Sequence, residues 1–472
     1  MGKRGILFYL LMVMVLTLTV PGMGRAMEEP SLPLGLGGDS SDKTEEPALP
    51  EGLGVSPEEK TTEEKKTKGE ALPFLLTGFW EGRIGVRTQK DSNEKDLSIG
   101  ETRLQLQLEQ EFERSVVRVT SDLLFDPVLD RHSVRLEEGK GFLDLREANL
   151  LIRPLTFTDL KVGRQILTWG TGDLIFINDL FPKDWNAFFI GRDPEYLKAP
   201  SDAIKLSFFF AFLNLDVVYT PRFDSDRFID GSRISFYNGL LGLRSGRDAV
   251  VSVDKREDWF EEDEVAWRIY KNIRGYEVAA YGYKGYWKSP GGVDPILQRV
   301  TFPPLSVYGA SVRGAVGRGI GNLELGYYDS ENDRSGENPL IRNGEFRFLA
   351  GYEQEVFKNF TVALQYYLEY MLDHEAYLRT LPMGSPGTDE NRHVLTVRFT
   401  HLLMNQNLIL SFFTFYSPSD EDAYLRPKVH YKVTDAWSAE VGGNVFVGKE
   451  DHTFFGQFEK NSNVFTGVRY SF

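Results

Sequence analysis

From residue 73 onward the chain alternates apolar and polar residues with a period of two, segment after segment. Leu104, Leu106 and Leu108 alternate with Arg103, Gln105, Gln107 and Glu109. Ile204, Leu206, Phe208, Phe210 and Phe212 alternate with Lys205, Ser207 and smaller residues, and Leu395, Val397 and Phe399 alternate with Thr396, Arg398 and Thr400. Successive side chains of a β-strand point to opposite faces, so each segment presents one aliphatic and aromatic face and one charged face. A soluble sandwich alternates in the same way but hides its apolar face against a second sheet. Most segments here are long enough to cross a bilayer as tilted strands, which takes about 9–11 residues. Composition agrees: 45 glycines, 13% aromatic residues and a mean hydropathy of −0.31 fit a barrel that is greasy on one face only.

The spacing predicts an all-β, transmembrane antiparallel β-barrel of about 18 strands, with 16 as the runner-up count. The strands read as 74–88, 100–113, 116–125, 142–153, 159–169, 202–212, 214–221, 262–271 and 274–288 in the first half. In the second half they read as 305–317, 321–330, 343–356, 359–372, 390–403, 407–417, 422–433, 435–448 and 463–472. Joints after even-numbered strands are tight, as at Glu113-Arg114-Ser115, Lys271-Asn272, Lys358-Asn359 and Thr434-Asp435, and joints after odd-numbered strands are expected to be long throughout. The longest fall near 170–201 and 222–261. Short inner turns and long outer loops are the asymmetry of outer-membrane barrels. The last strand puts Val464, Thr466, Val468, Tyr470 and Phe472 on one face and stops at Phe472. That ending resembles the signal read by the bacterial barrel-assembly machinery. Lipid and lipopolysaccharide are the expected surroundings.

The N-terminus carries an address. Lys3 and Arg4 precede an apolar run from Ile6 to Val20, then Pro21-Gly22 and small residues ending at Ala26. This is the pattern of a secretory signal peptide, with cleavage expected near Ala26. Residues 27–72 hold 12 acidic and 5 basic side chains and almost nothing to build a core from, so a disordered acidic leader is expected. Within it Glu28-Glu29-Pro30-Ser31-Leu32-Pro33 recurs as Glu45-Glu46-Pro47-Ala48-Leu49-Pro50, inside a duplication spanning 28–54. It reads as a spacer or as a pair of docking motifs for a periplasmic partner, whose avidity two copies would raise. The barrel itself is placed at 73–472.

Other functions find little support. The formal charge of −15 argues against nucleic-acid binding, which draws on a basic surface. With no Cys, thiolate metal sites and cysteine nucleophiles are excluded. The six histidines are scattered, and His393 and His401 bracket Leu395, Val397 and Phe399 as two interfacial positions. No catalytic constellation, metal set or cofactor motif emerges, so no enzyme and no cofactor are expected.

The stretch Leu145-Arg146-Glu147-Ala148-Asn149-Leu150, followed by Val162-Gly163-Arg164-Gln165-Ile166-Leu167-Thr168-Trp169-Gly170, resembles the early strands of alginate-export-type porins and related porin-like outer-membrane barrels. The resemblance implies a channel for hydrophilic solutes. An alginate exporter would carry a strongly basic lumen, and this chain departs from that.

Loop 171–201 is the candidate constriction, because an inward-folded loop with opposed charges sets up a transverse field that sorts solutes. It offers Asp173, Asp179, Asp184, Arg192, Asp193, Glu195 and Lys198 among Trp185, Phe188 and Phe189. The polar strand faces offer Arg103, Glu109, Arg118, Asp122, Arg313 and Glu324 as candidate pore wall, and further along Arg347, Glu353, Arg398, Lys428 and Lys432. Both signs occur, so no single selectivity follows.

Overall fold

The computed structural model describes residues 75–130, 133–239, 241–297 and 299–472. The signal peptide, the leader with its duplicated motif, and the first two residues of the expected barrel lie outside the described residues.

Eighteen strands form one antiparallel sheet that closes on itself. In chain order they are β1 (Leu75–Arg87), β2 (Leu97–Phe112), β3 (Ser115–Phe125), β4 (Leu143–Leu155), β5 (Thr158–Ile166) and β6 (Pro200–Phe209). Next come β7 (Asn214–Thr220), β8 (Glu264–Ile273), β9 (Tyr276–Tyr286), β10 (Pro304–Val316), β11 (Gly319–Ser330) and β12 (Glu345–Phe357). The ring ends with β13 (Phe360–Met371), β14 (Asn391–Leu403), β15 (Leu408–Ser417), β16 (Asp422–Lys432), β17 (Trp437–Gly448) and β18 (Asn463–Ser471). Each strand pairs with its neighbour in sequence, and β18 returns to β1 in register from Phe79↔Ser471 to Arg87↔Asn463. Gly78 and Phe472 extend that seam by exchanging both backbone hydrogen bonds at 3.0 Å. Closure satisfies every ladder and leaves no edge in the hydrocarbon region.

The predicted elements need correction in three places. The turn read at Lys271-Asn272 lies at Arg274-Gly275, where φ is 54° and 85°. Two consecutive positive φ values make a two-residue turn whose twist matches the flanking strands, and Asn272 Oδ1 accepts from Gly275 N to hold it. The alternation of short and long joints also breaks once. The connection from β15 to β16 is only Pro418–Glu421. Finally, two loop hairpins were not legible in the sequence: Phe236–Asn238 pairs with Leu243–Ser245, and Gly292–Asp294 with Arg299–Thr301. Strands of three residues are too short to show a period.

The two faces of the wall are inverted relative to a soluble protein. Leu123, Leu150, Ile204, Ile269, Leu323, Leu364, Leu395 and Val441 are exposed on the outside, whereas Arg103, Asp122 and Glu324 are at most 1% exposed. Near the short turns the exterior carries an aromatic band: Phe357, Phe360, Phe399 and Phe412 stack in series at 4.5–6.2 Å, with His401 edge-on to Phe360. His393 sits toward the other end of β14, its Nδ1 2.8 Å from Tyr366 Oη. Such bands mark the two interfaces of a membrane-spanning barrel. The apolar core is inside the ring, where Phe188 and Phe189 meet Tyr424, Phe446 and Phe458.

Candidate functional site: a loop tied across the lumen

The loop between β5 and β6 spans 167–199 and begins from a strand shaped for it. Gly163 has φ +115°, and a Cβ there would come within 2.3 Å of the Ala148 carbonyl oxygen. Only glycine takes that conformation without strain. Next to it Arg164 donates to the carbonyls of Leu145 and Leu136 and pairs with Asp202 at 3.0 Å. Gln165 Nε2 donates to Ala203 O at 2.8 Å. The Gly-Arg-Gln motif thus fixes where the chain leaves the wall. Trp169 then packs edge-on against Phe181 at 4.9 Å.

The loop runs inward, because the wall supplies partners for its backbone. Glu324 on β11 accepts from Thr171 N and Oγ1 and from Asn178 N and Nδ2, at 2.7–3.0 Å. Gln365 on β13 both accepts from Asp173 N and donates to Asp173 O. Tyr424 on β16 donates to Phe188 O, Asn463 on β18 to Phe189 O, and Arg83 on β1 to Gly191 O. Arg146 on β4 donates to the carbonyls of Glu195 and Lys198. Partners on β1, β4, β11, β13, β16 and β18 lie around the ring, so the loop crosses the lumen. Its middle is helix α1 (Trp185–Ile190), capped by the Asp184 side chain accepting from Ala187 N at 2.7 Å and ended by Gly191 at φ +87°.

Six of the seven loop residues named from the sequence divide into two groups, with Lys198 apart. Asp179 and Asp184 are buried and bonded to residues of the outer half. Asp179 pairs with Lys183 at 2.9 Å and accepts from Thr168, and Asp184 faces Arg227 at 3.3 Å. Asp173, Arg192, Asp193 and Glu195 pair with the wall. Asp173 meets Arg398 at 2.7 Å, Arg192 meets Glu101, Asp193 meets Arg469, and Glu195 lies 3.8 Å from Arg469. Lys198 is half-buried beside Asp179 and Lys183. Burial pushes the Asp173 carboxyl up against the pull of Arg398 and pushes Lys198 down.

The wall residues fall into ion-pair networks. Arg103 bridges Glu101 and Asp122 and lies over the Tyr196 ring at 4.2 Å. Arg118 pairs with Glu109 at 2.6 Å, and Arg398 pairs with Glu353 as well as Asp173. Arg347 pairs with Glu345 at 2.7 Å, and Lys428 reaches Asp193 and Glu440 at 3.8 and 3.6 Å. Arg313 is half-buried opposite Glu277 and Asn322. Lys432 stands at the rim, paired at 2.7 Å with the exposed Asp435 in the turn. Arg83, Glu81, Glu440 and Arg469 complete a network that the sequence reading passed over. Their signal was present: Glu81 and Arg83 alternate with Trp80, Gly82 and Ile84, and Arg469 with Val468 and Tyr470. Among the described residues, no group of three or more His, Asp or Glu is placed to hold a metal ion.

Two cavities lie on the long-loop side of this arrangement. One, of about 340 Å³, lies between loop 167–199 and the wall of β12–β15. The other, of about 540 Å³, is enclosed by loops 126–142 and 221–263. They share Asp226 and Phe228. Asp226 holds that partition by accepting from Lys183 N, Trp185 Nε1 and Ser289 Oγ at 2.6–3.1 Å.

A closed 18-stranded ring, apolar outside and charged inside, with one long loop folded into its lumen, defines a membrane-spanning β-barrel of porin architecture. Comparison with solved structures supports the fold. The chain is similar to OccAB4 of Acinetobacter baumannii at a TM-score of 0.54 and 9% identity, covering 86% of this chain and 100% of that one. It is also similar to OccD3 (OpdP) of Pseudomonas aeruginosa at a TM-score of 0.50 and 10% identity, covering 86% and 92%. OccAB3 of Acinetobacter baumannii matches at 0.50 and 11% identity, covering 84% and 99%. At these identities the likeness is one of fold. No family model and no curated protein matches the chain.

Proposed function

We propose that this chain is an outer-membrane, porin-like channel that passes small hydrophilic solutes, with loop 167–199 as its constriction. The observation that carries the reading is the loop bound through its backbone to strands around the ring, inside a wall of paired charges. A wide barrel of this strand number has an aqueous interior, and an inward loop is what narrows it. Acidic and basic side chains from the loop and from the wall, such as Asp173 and Arg398 or Asp193 and Arg469, pair at that level, so a solute passing there meets both signs of charge. The Gly-Arg-Gln strand and the loop it launches support kinship with alginate-export-type porins at the level of channel design. A polymer exporter is less well supported, because the arginines of the lumen are matched by carboxylates.

Single-channel recording of the refolded full chain in a planar bilayer tests the proposal. Discrete current steps, with a salt-gradient reversal potential that moves when Asp173 is changed, are expected. A correctly folded barrel that passes no current at any voltage would overturn it. The duplicated motif at 28–54 supports a second reading, in which the leader docks a periplasmic partner of an export or assembly complex. Deleting one copy should then weaken capture of that partner from a periplasmic extract, and identical capture would remove this reading.

A further inference from the structure

We infer that the 340 Å³ cavity between loop 167–199 and the wall of β12–β15 is a binding site for a neutral, polyhydroxylated ring of mono- to disaccharide size. The inference rests on the channel reading and names the class of solute that its lumen recognises. On the loop side the cavity is lined by Phe176 and Trp185, edge to face at 6.2 Å, with Phe454 contributed by the last outer loop. On the other side it is lined by Arg342 from loop 331–344 and by Arg347, Glu369 and Arg392 on the wall. The volume falls within the range of small-molecule sites, about 300–1,000 Å³.

The charge of the cavity decides between a neutral and an anionic occupant. Arg342 pairs with Glu345 and lies 3.4 Å from Glu369, and Arg347 lies 2.7 Å from Glu345 and 3.8 Å from Glu369. Arg392 pairs with Asp420 at 2.6 Å. The two lysines of the lining are matched as well, Lys183 by Asp179 and Lys288 by Glu264. The guanidinium faces are also covered, Arg342 by Trp287 at 4.5 Å, Arg347 by Tyr328 at 4.0 Å and Arg392 by Phe454 at 4.6 Å. Every cation in the lining therefore has its carboxylate, and an anion would have to displace one to gain a full ion pair. A hydroxyl has no such requirement, since it donates one hydrogen bond and accepts two. Paired arginines and carboxylates offer donors and acceptors side by side. The C–H face of a sugar ring packs on the Trp185 indole while its hydroxyls meet the mixed wall.

The test uses the refolded full chain with sucrose as the neutral probe and benzoate as the anionic one. In a planar bilayer, millimolar sucrose should interrupt the ion current in a concentration-dependent way. Trp185→Ala and Phe454→Ala should each weaken that block at least tenfold, and Phe454 is exposed enough for its variant to fold if the first does not. Tryptophan fluorescence of the detergent-folded chain reads binding without any conduction, because Trp185 and Trp287 line the cavity. Open channels with neither block nor fluorescence change by sucrose would overturn the inference and leave the channel reading standing. Tighter binding of benzoate than of sucrose would overturn it in favour of an anion site. A saturable sucrose titration lost in the variants, in a barrel that passes no current, would support the site while removing the channel reading.

Discussion

Loops 167–199 and 221–263 are both long, both mix acidic with aromatic residues, and both leave the same end of the barrel, yet only the first crosses the lumen. The difference lies in what the wall offers. Loop 167–199 meets Glu324, Gln365, Tyr424, Asn463, Arg83 and Arg146, each bonded to its backbone. A buried loop is tolerable only if its peptide groups find partners, and here the wall provides them. Loop 221–263 is held mainly by other loops: besides its contact with the first loop, Arg233 pairs with Asp126, and Ser235 meets Asn461 and Asp91. Arg227 pairs with Asp144 at 2.8 Å and with Asp184, and Asp226 receives three donors. Its last stretch, after residue 246, is the outward part and leaves Glu257, Asp258, Phe260 and Glu261 exposed. Residue content alone does not send a loop inward; complementary wall groups do.

Breaking an inner anchor should have the largest effect. Arg103→Ala takes from Asp122 its buried cation, leaves Glu101 with Arg192 alone and leaves the Tyr196 ring with Arg146 alone, at a cost of about 3–5 kcal/mol. A urea-unfolding series on the refolded barrel should show the midpoint falling sharply, and an unchanged midpoint would mean that the inner loop is held by other groups. Glu324→Ala comes next. It orphans the buried amides of Thr171 and Asn178, at about 1–3 kcal/mol each, and should raise single-channel conductance as the loop loosens. Glu324→Gln keeps an acceptor and should fall between the variant and the parent.

The outer loop can be probed through its contact with loop 88–96, where Asn93 Nδ2 donates to Arg244 O at 3.1 Å. Burial pushes the neighbouring Glu94 carboxyl up to about 7, against the pull of Arg87 and Arg247. Below the ordinary carboxylate range Glu94 is neutral in folded and unfolded chains alike. Between the ordinary carboxylate range and about 7 the unfolded chain ionises while the buried group stays neutral, so stability falls across that window and levels off above it. Protease nicking of loop 88–96 should therefore be slower at pH 5 than at pH 8, and Glu94→Gln should flatten the profile. Asp173→Asn should leave the fold intact, since Arg398 keeps Glu353, and should change the cation-to-anion permeability ratio roughly twofold toward anions. The smallest effect belongs to the exposed half of the outer loop. Glu257→Gln with Glu261→Gln should move stability by less than about 0.5 kcal/mol and leave the conductance where it was.

Much of this was legible in advance for one reason. A strand that crosses a bilayer must show its period, because one face meets lipid and the other water. Leu104 against Arg103 and Leu395 against Arg398 are read directly from that alternation. The cation–anion partners were not legible, because Arg83 and Glu440 come together only where β18 closes onto β1. Lys271-Asn272 misled as a turn because polar pairs are common at strand ends, whereas Arg274-Gly275 is chosen by the twist of the ladder.

The sequence by itself determined the class of the fold: the period of two follows from the need to present lipid and water with different faces, whereas the strand count was open between 18 and 16 until the ring closed. It also marked the launch of the inner loop, since Gly163 is the residue that a φ of +115° against a neighbouring carbonyl requires. What only the tertiary structure decided is the lumen. Closure into a ring brings Asp173 to Arg398, Asp193 to Arg469, and Phe176 and Trp185 to face three paired arginines. These contacts join residues hundreds of positions apart, and no local pattern encodes them, because they depend on the curvature of the ring and on which wall group stands opposite each turn of the loop.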